Sequence, residues 1–348
     1  MEKERIKKGK KMTLKNLVFH YLDTKQHQKE VNVIHNEKIY NNTDTLAAKF
    51  AIELTENFYK RSIQKARFDN TSDTKPDFEQ LIKKYISAKI NFLDFSKNAL
   101  NLLKKEMQKS PLSVGGIVVF GDIETGADIR YIFVAILNKS EKFAFDEEKF
   151  DLKEVEILEN EKLAVASFIN IIKYQNEADK HYISFIRGLR DLANYFIEFL
   201  GVGEDKITAK QQTNELVKAI KSYVKNLKID DEEKNNILNR VYDTLFVFAR
   251  DKQEVSIDLI SEIIDKENKE AFKQYVQSPD SEFNINSVIE LLDKEKLKRL
   301  KNFKFKTNGL LLSFDKDKFQ FSIKNDKIIF DNPPKELIEE LKKELGNE

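Results

Sequence analysis

The chain has 348 residues, 41% hydrophobic and 34% charged, too long for one ordinary core and too apolar for a disordered polymer. The absence of cysteine excludes disulfides, thiolate metal sites and cysteine nucleophiles. Sixty basic residues against 59 acidic ones leave a net charge of +1, so attraction to a polyanion has to come from the distribution of charge, not from its total.

The first predicted element is a strand over Leu14–Leu22, followed by a short one over Val31–His35. The start, MEKERIKKGKKMTLKNLVF, is basic but has no apolar core behind it and does not read as a signal peptide. Asn42-Thr43-Asp44 signals a helix start, and Leu46, Phe50, Leu54 and Phe58 extend helical spacing toward Ala66. Lys75-Pro76-Asp77 breaks the chain before helices over Phe78–Lys89 and Phe92–Gln108. A strand-rich section follows: Ile117–Phe120, a turn-rich connection over Gly121–Ala127, then Tyr131–Leu137, whose unbroken apolar run predicts cover on both faces. Phe150–Leu158 and Leu163–Ile172 read as two more strands joined at Glu159-Asn160-Glu161. Short turns between strands predict a mostly antiparallel sheet.

Beyond Asp179 the period becomes helical. Ile183–Leu200 reads as an amphipathic helix ended by Gly201. Thr208–Leu227, Asp231–Arg250, Val255–Asp265, Ala271–Tyr275 and Ser287–Lys301 follow. Strands then return over Asn302–Phe305, Gly309–Phe314, Phe319–Ile323 and Ile328–Phe330, with a tight turn at Asn325-Asp326. Pro333-Pro334 opens a closing helix, Glu336–Leu345. The expected fold class is α+β: a mostly antiparallel sheet with packed helices, a helical middle section, and a C-terminal β-hairpin region closed by a helix. The expected parts are a basic N-terminal arm (1–13), an α+β domain (14–178), a helical domain (179–301) and a small β-rich region with the final helix (302–348). No apolar run approaches the roughly 20 residues that span a bilayer.

Charge is segregated. Residues 1–15 carry seven basic and two acidic side chains, residues 294–306 seven basic and one acidic, and residues 141–162 four basic and nine acidic. In the helix predicted after Thr208, Val217, Ile220, Val224 and Leu227 make one apolar face. Lys218, Lys221, Lys225 and Lys228 repeat at the same spacing beside it. Four ammonium groups in a row can track phosphates and release their counterions. An ordinary amphipathic helix with a lysine-rich wet side has the same pattern. Lys296, Lys298, Arg299, Lys301 and Lys304 form a second basic group, in which Phe303 and Phe305 alternate with lysines; the rings fit a core better than a stacking platform. Arg187, with Lys180 and His181, could hold an anion at a helix start. No base-reading motif is present, so contact with nucleic acid would be mainly electrostatic and weakly sequence-selective.

Three stretches together resemble the NdpA/YejK-type bacterial nucleoid-associated proteins. They are Val114–Phe120 with Phe133–Leu137; KHYISFIRGLRDLANYFIEFLG, Lys180–Gly201, leading to Ala209-Lys210-Gln211; and NGLLLSFD, Asn308–Asp315, with DNPPKELIEEL, Asp331–Leu341. The resemblance implies a cytoplasmic protein of the nucleoid that binds DNA, self-associates as a homodimer and has no known catalytic reaction or cofactor. It assigns no residue-level DNA site, and leaves open whether single strands or RNA are bound as well as duplex.

Two other function classes find some material in the residues. The acidic stretch 141–162 could dock a basic DNA-processing or phage-defence partner, making the chain an adaptor. A Mg-dependent nuclease would need clustered carboxylates and a lysine, for which Asp122, Glu124 and Asp128 with Asp151 and Lys153 are the nearest material. No HExxH, GxSxG or P-loop pattern occurs, and the four histidines offer little for catalysis.

Overall fold

The computed structural model describes residues 12–23, 30–69, 71, 75–109, 115–125, 129–146, 151–158, 163, 165–176, 181–186, 194–203, 208–278, 281–315 and 321–346. They fall into two compact units, residues 1–208 with 274–288, and residues 209–273 with 289–348. Among the described residues, no helix is long and apolar enough to cross a membrane.

The first unit runs β1 (Thr13–Asp23), β2 (Asn32–Ile34), α1 (Thr45–Tyr59), β3 (Ile63–Ala66), α2 (Asp77–Ile86), α3 (Phe92–Met107), β4 (Gly116–Thr125), β5 (Ile129–Leu137), β6 (Lys139–Asp146), β7 (Asp151–Leu158), β8 (Val165–Asn170), α4 (Ile171–Asn176), β9 (Ile183–Ile186) and α5 (Asn194–Leu200). Seven of the strands form one antiparallel sheet in the order β2-β1-β4-β5-β8-β9-β3. One face packs against α2, α3 and α5 through Phe78, Ile82, Phe95, Leu103 and Phe199. The other packs against α1 through Ala51, Leu54 and Phe58. The expected α+β class and antiparallel sheet are what the chain adopts, with β5 covered on both faces.

Several local expectations are corrected. The first helix stops at Tyr59, and Ile63–Ala66 turns into an edge strand paired with β9. Its buried face is Ala47, Ala51, Leu54, Thr55 and Phe58, and Leu46 is 80% exposed. Leu54 and Phe58 lie on the face expected from sequence, while small residues at 47 and 51 take the places near the sheet that Leu46 and Phe50 were expected to fill. The expected turn at Gly121 is the middle of β4. A Cβ there would lie 2.2 Å from the Phe133 ring, so glycine makes room for a ring instead of a turn. Phe150–Leu158 pairs with the unforeseen β6, not with β8, which lies between β5 and β9. The long helix expected over Ile183–Leu200 is strand β9 at its start and helix α5 at its end. All four β9 residues, Ser184 included, are buried, and a short run with no exposed position hides the difference between period 2 and period 3.6. Gly201 does end α5, at φ +63°, donating its N–H to the carbonyl of Ile197 at 3.0 Å.

The chain continues as α6 (Ala209–Lys225), α7 (Asp231–Arg250), β10 (Val255–Ser256), α8 (Ile257–Ile264), α9 (Ala271–Gln277), β11 (Val288–Ile289), α10 (Lys294–Leu297), a 3-10 turn (Lys298–Leu300), β12 (Asn302–Thr307), β13 (Leu310–Asp315), β14 (Phe321–Lys324), β15 (Lys327–Phe330) and α11 (Lys335–Glu344). Asp230 caps α7 by accepting from the Glu233 amide at 2.8 Å. The helix expected over Ser287–Lys301 shrinks to α10 and the 3-10 turn, because the Asp293 carboxylate caps the Lys296 amide at 2.9 Å and starts the helix there. Two hairpins, β12–β13 and β14–β15, meet at Phe314, which stacks edge-on against Phe321 and Phe330. Asn325 and Asp326 both have positive φ, as the tight turn requires.

Candidate nucleic-acid interface

The basic residues singled out in the sequence gather largely in the second unit, around α6. Leu216, Val217, Ala219, Ile220 and Val224 are buried and fix the rotation of the helix. Lys218 and Lys225 are consequently exposed, with Lys221 half-buried beside them; the helix ends at Lys225, so Lys228, expected on it, is exposed in the turn that follows. Lys218 is paired with Glu215, one turn earlier, at 2.7 Å. Lys225 has no ion-pair or hydrogen-bond partner among the described residues.

The second basic group is a clamp between two helices. Buried Leu297 and Leu300 anchor α10 and the 3-10 turn, which pack on both α6 and α7. The Asp293 amide donates to the Thr213 hydroxyl at 2.8 Å, and Arg299 donates to the Asn214 side chain at 2.8 Å, both on α6. Lys301 turns the other way, to Asp243 of α7 at 3.0 Å, with its ammonium 4.8 Å from the Tyr242 ring centre. Lys298 is exposed and bonded to Glu295 at 2.7 Å, which raises its pKa. Lys296 is half-buried. The structure thus brings the two lysine groups onto one helical unit. It also gives Lys218, Lys298 and Lys301 acidic neighbours and Arg299 an amide partner.

Lys180, Arg187 and Arg190 lie outside the described residues, as does the basic start of the chain through Lys11, and the side chains of Lys304 and Lys306 are likewise outside the description. The acidic run at 141–162 covers most of the β6–β7 hairpin.

Two features were missed in the sequence. Tyr242 and Phe246, one turn apart on α7, stack at 5.5 Å beside Lys301; the i, i+4 spacing of the two rings was the available signal. In the first unit, Lys65 on β3 donates to the Ser184 hydroxyl at 2.9 Å, and burial, reinforced by Lys173, lowers its pKa to about 7. Its polar neighbours Gln64 and Arg67 gave no hint of this.

The carboxylates read as nuclease material are committed elsewhere. Asp122 is fully buried and takes a fork of bonds from Arg130, Nε at 3.0 Å and Nη2 at 2.7 Å, with the Tyr85 hydroxyl donating at 2.6 Å. The Asp122 hydrogen bond is the largest cause of the rise in the Arg130 pKa. Glu124 pairs with Lys15 across β1 and β4. Asp128 is outside the described residues, as are the side chains of Asp151 and Lys153. Among the described residues no three His, Asp or Glu side chains are grouped so as to hold a metal ion.

Fold and charge define the class: an α+β protein with a helix-sandwiched antiparallel sheet and a lysine-lined helical unit. The chain belongs to the family described as nucleoid-associated protein YejK, whose profile matches residues 18–338. A nucleoid-associated protein of Pseudomonas aeruginosa is 27% identical over 298 residues, covering 84% of this chain and 86% of the relative. One from Metapseudomonas resinovorans is 29% identical over 273 residues, and one from Pseudomonas entomophila 27% over 273; each match covers 76% of this chain and 80% of the relative.

Proposed function

We propose that this chain binds DNA on the bacterial nucleoid, without catalysis, by presenting the lysine row of α6 to the phosphate backbone. The observation that carries the reading is the rotation of α6. Its apolar side is locked in the core, so Lys218 and Lys225 are held outward on a rigid rod, with exposed Lys228 just beyond its end. Lys296, Lys298, Arg299 and Lys301 add positive charge at the clamp. Exposed pairs such as Lys218–Glu215 and Lys298–Glu295 are worth little and exchange readily for phosphate. Contacts of this kind position a protein on a duplex and read little sequence. The nucleoid naming of the relatives supports the same reading and, with it, a cytoplasmic setting. Self-association as a homodimer is part of the proposal, tested by sedimentation at micromolar concentration.

The test is duplex binding by fluorescence anisotropy with a variant in which Lys218, Lys221, Lys225 and Lys228 are all changed to Glu. A folded variant should lose at least 100-fold in affinity at low salt, since four phosphate contacts go and four repulsions replace them. Unchanged affinity would move the interface off α6.

A further inference from the structure

The rings of α7 are not needed for phosphate tracking, and their setting is unusual for a core. Tyr242 and Phe246 lie one turn apart, stacked at 5.5 Å with 29° between their planes, and both are only half-buried. The buried side of α7 is made by Ile237, Leu238, Val241, Leu245 and Ala249 instead. Val247, next to them, is 43% exposed. The open face of Tyr242 is capped by the Lys301 ammonium, 4.8 Å from the ring centre, and Lys298 is near enough for the phenol to add to its raised pKa. Aromatic faces beside lysines form the combination that binds single-stranded nucleic acid: bases stack on the rings while ammonium groups meet the phosphates.

We infer that Tyr242 and Phe246, with Lys298 and Lys301, form a stacking platform for unpaired bases of single-stranded nucleic acid. The inference builds on the proposed binding of DNA by the same unit and adds a second ligand form with its own residues. Duplex DNA cannot use the rings, because its bases are stacked on one another. A single strand can place a base on Tyr242 where Lys301 now lies and give the displaced ammonium a phosphate. Asp243, mostly exposed, holds the half-buried Lys301 at 3.0 Å, and a phosphate beside the stacked base would take over this contact. The Lys298–Glu295 pair is exposed on both sides and exchanges at small cost.

The test measures binding of a 20-nucleotide oligo-dT, an oligo-rU of the same length and a 20-base-pair duplex to the full chain. Tyrosine emission gives a direct second signal, as the protein has no tryptophan. The variants are Tyr242→Leu with Phe246→Leu, which keeps apolar volume, Tyr242→Phe, which keeps the ring, and the α6 quadruple lysine-to-Glu variant. Stacking is worth about 1–3 kcal/mol per base, roughly 5- to 150-fold. The Leu pair should therefore lose at least 5-fold on one or both single strands and less than 2-fold on the duplex. Tyr242→Phe should bind single strands as the wild type does, and oligo-dT should quench tyrosine emission in the wild type but not in the Leu pair. Wild-type single-strand affinity in a folded Leu variant, or an equal loss on duplex and single strands, overturns the platform. Loss of duplex binding confined to the α6 variant bears on the phosphate row instead, so the two readings fail separately.

Discussion

His20 offers a test of how the first unit is held together. It sits on β1, 2% exposed, between the sheet and α3. Its Nδ1 accepts from the Asn36 amide at 3.1 Å, which leaves the proton on Nε2, and Nε2 donates to the Ser96 hydroxyl at 3.0 Å. Ser96 passes the bond on to the Leu93 carbonyl at 2.9 Å. The ring is therefore bound in its neutral form. Burial, followed by the nearby His35 and Lys97 and opposed by Glu37, lowers its pKa from 6.5 to about 4. The depressed value fixes the sign. The unfolded chain takes up a proton below pH 6.5 and the folded one only near 4, so the contribution is complete above 6.5 and declines as pH falls toward 4. At about 1.36 kcal/mol per unit, the loss between pH 7.5 and pH 5 is about 2 kcal/mol. Urea unfolding at both pH values, followed by circular dichroism, reads this against His20→Gln, which cannot titrate but can bond both ways. The wild type should lose about 2 kcal/mol more than the variant over that interval. Parallel losses in the two proteins would refute the neutral-ring assignment.

Other outcomes follow from packing. Phe58→Ala should cost about 3–5 kcal/mol, because Phe58 is fully buried against Phe168 at 4.4 Å, whereas Leu46→Ala on the same helix should change stability by less than about 0.5 kcal/mol; thermal melts of both variants separate them. Gly121→Ala should destabilise by about 1–3 kcal/mol by forcing the Phe133 ring aside, and adding Phe133→Leu should recover part of the loss in denaturant titrations. Arg130→Met leaves the Asp122 carboxylate buried with only the Tyr85 hydroxyl and should cost about 3–5 kcal/mol, with partial recovery when Asp122→Asn is added; equal stability of the single and double variants would contradict the coupling.

What the sequence revealed depended on whether a segment had a wet face. Helices α3, α6 and α7 have one, and their polar and apolar sides alternate with a period that only a helix satisfies. The lysine row of α6 was legible for the same reason. Segments covered on all sides carried no such mark. Strand β9 is buried throughout, so its residues passed for the start of the helix that follows. Gly121 illustrates a second limit: glycine signals both turns and close approach, and the partner that decides between them, Phe133, is brought in by strand pairing. Ion pairs are illegible for a similar reason. Lys301 reads as one more cation in a basic run, and its commitment to Asp243 and Tyr242 exists only once α10 is clamped against α7.

The central claim is that a nearly neutral chain meets DNA through a rigid row of ammonium groups. The most direct measurement is a salt titration of duplex affinity from 50 to 200 mM, on protein freed of bound nucleic acid. Four phosphate contacts predict a log–log slope of about −3.6, a fall of roughly 150-fold over that range, with a shallower slope when Lys225 and Lys228 are changed to Ala. An affinity that is flat with salt, or a slope unaltered in that variant, would contradict it.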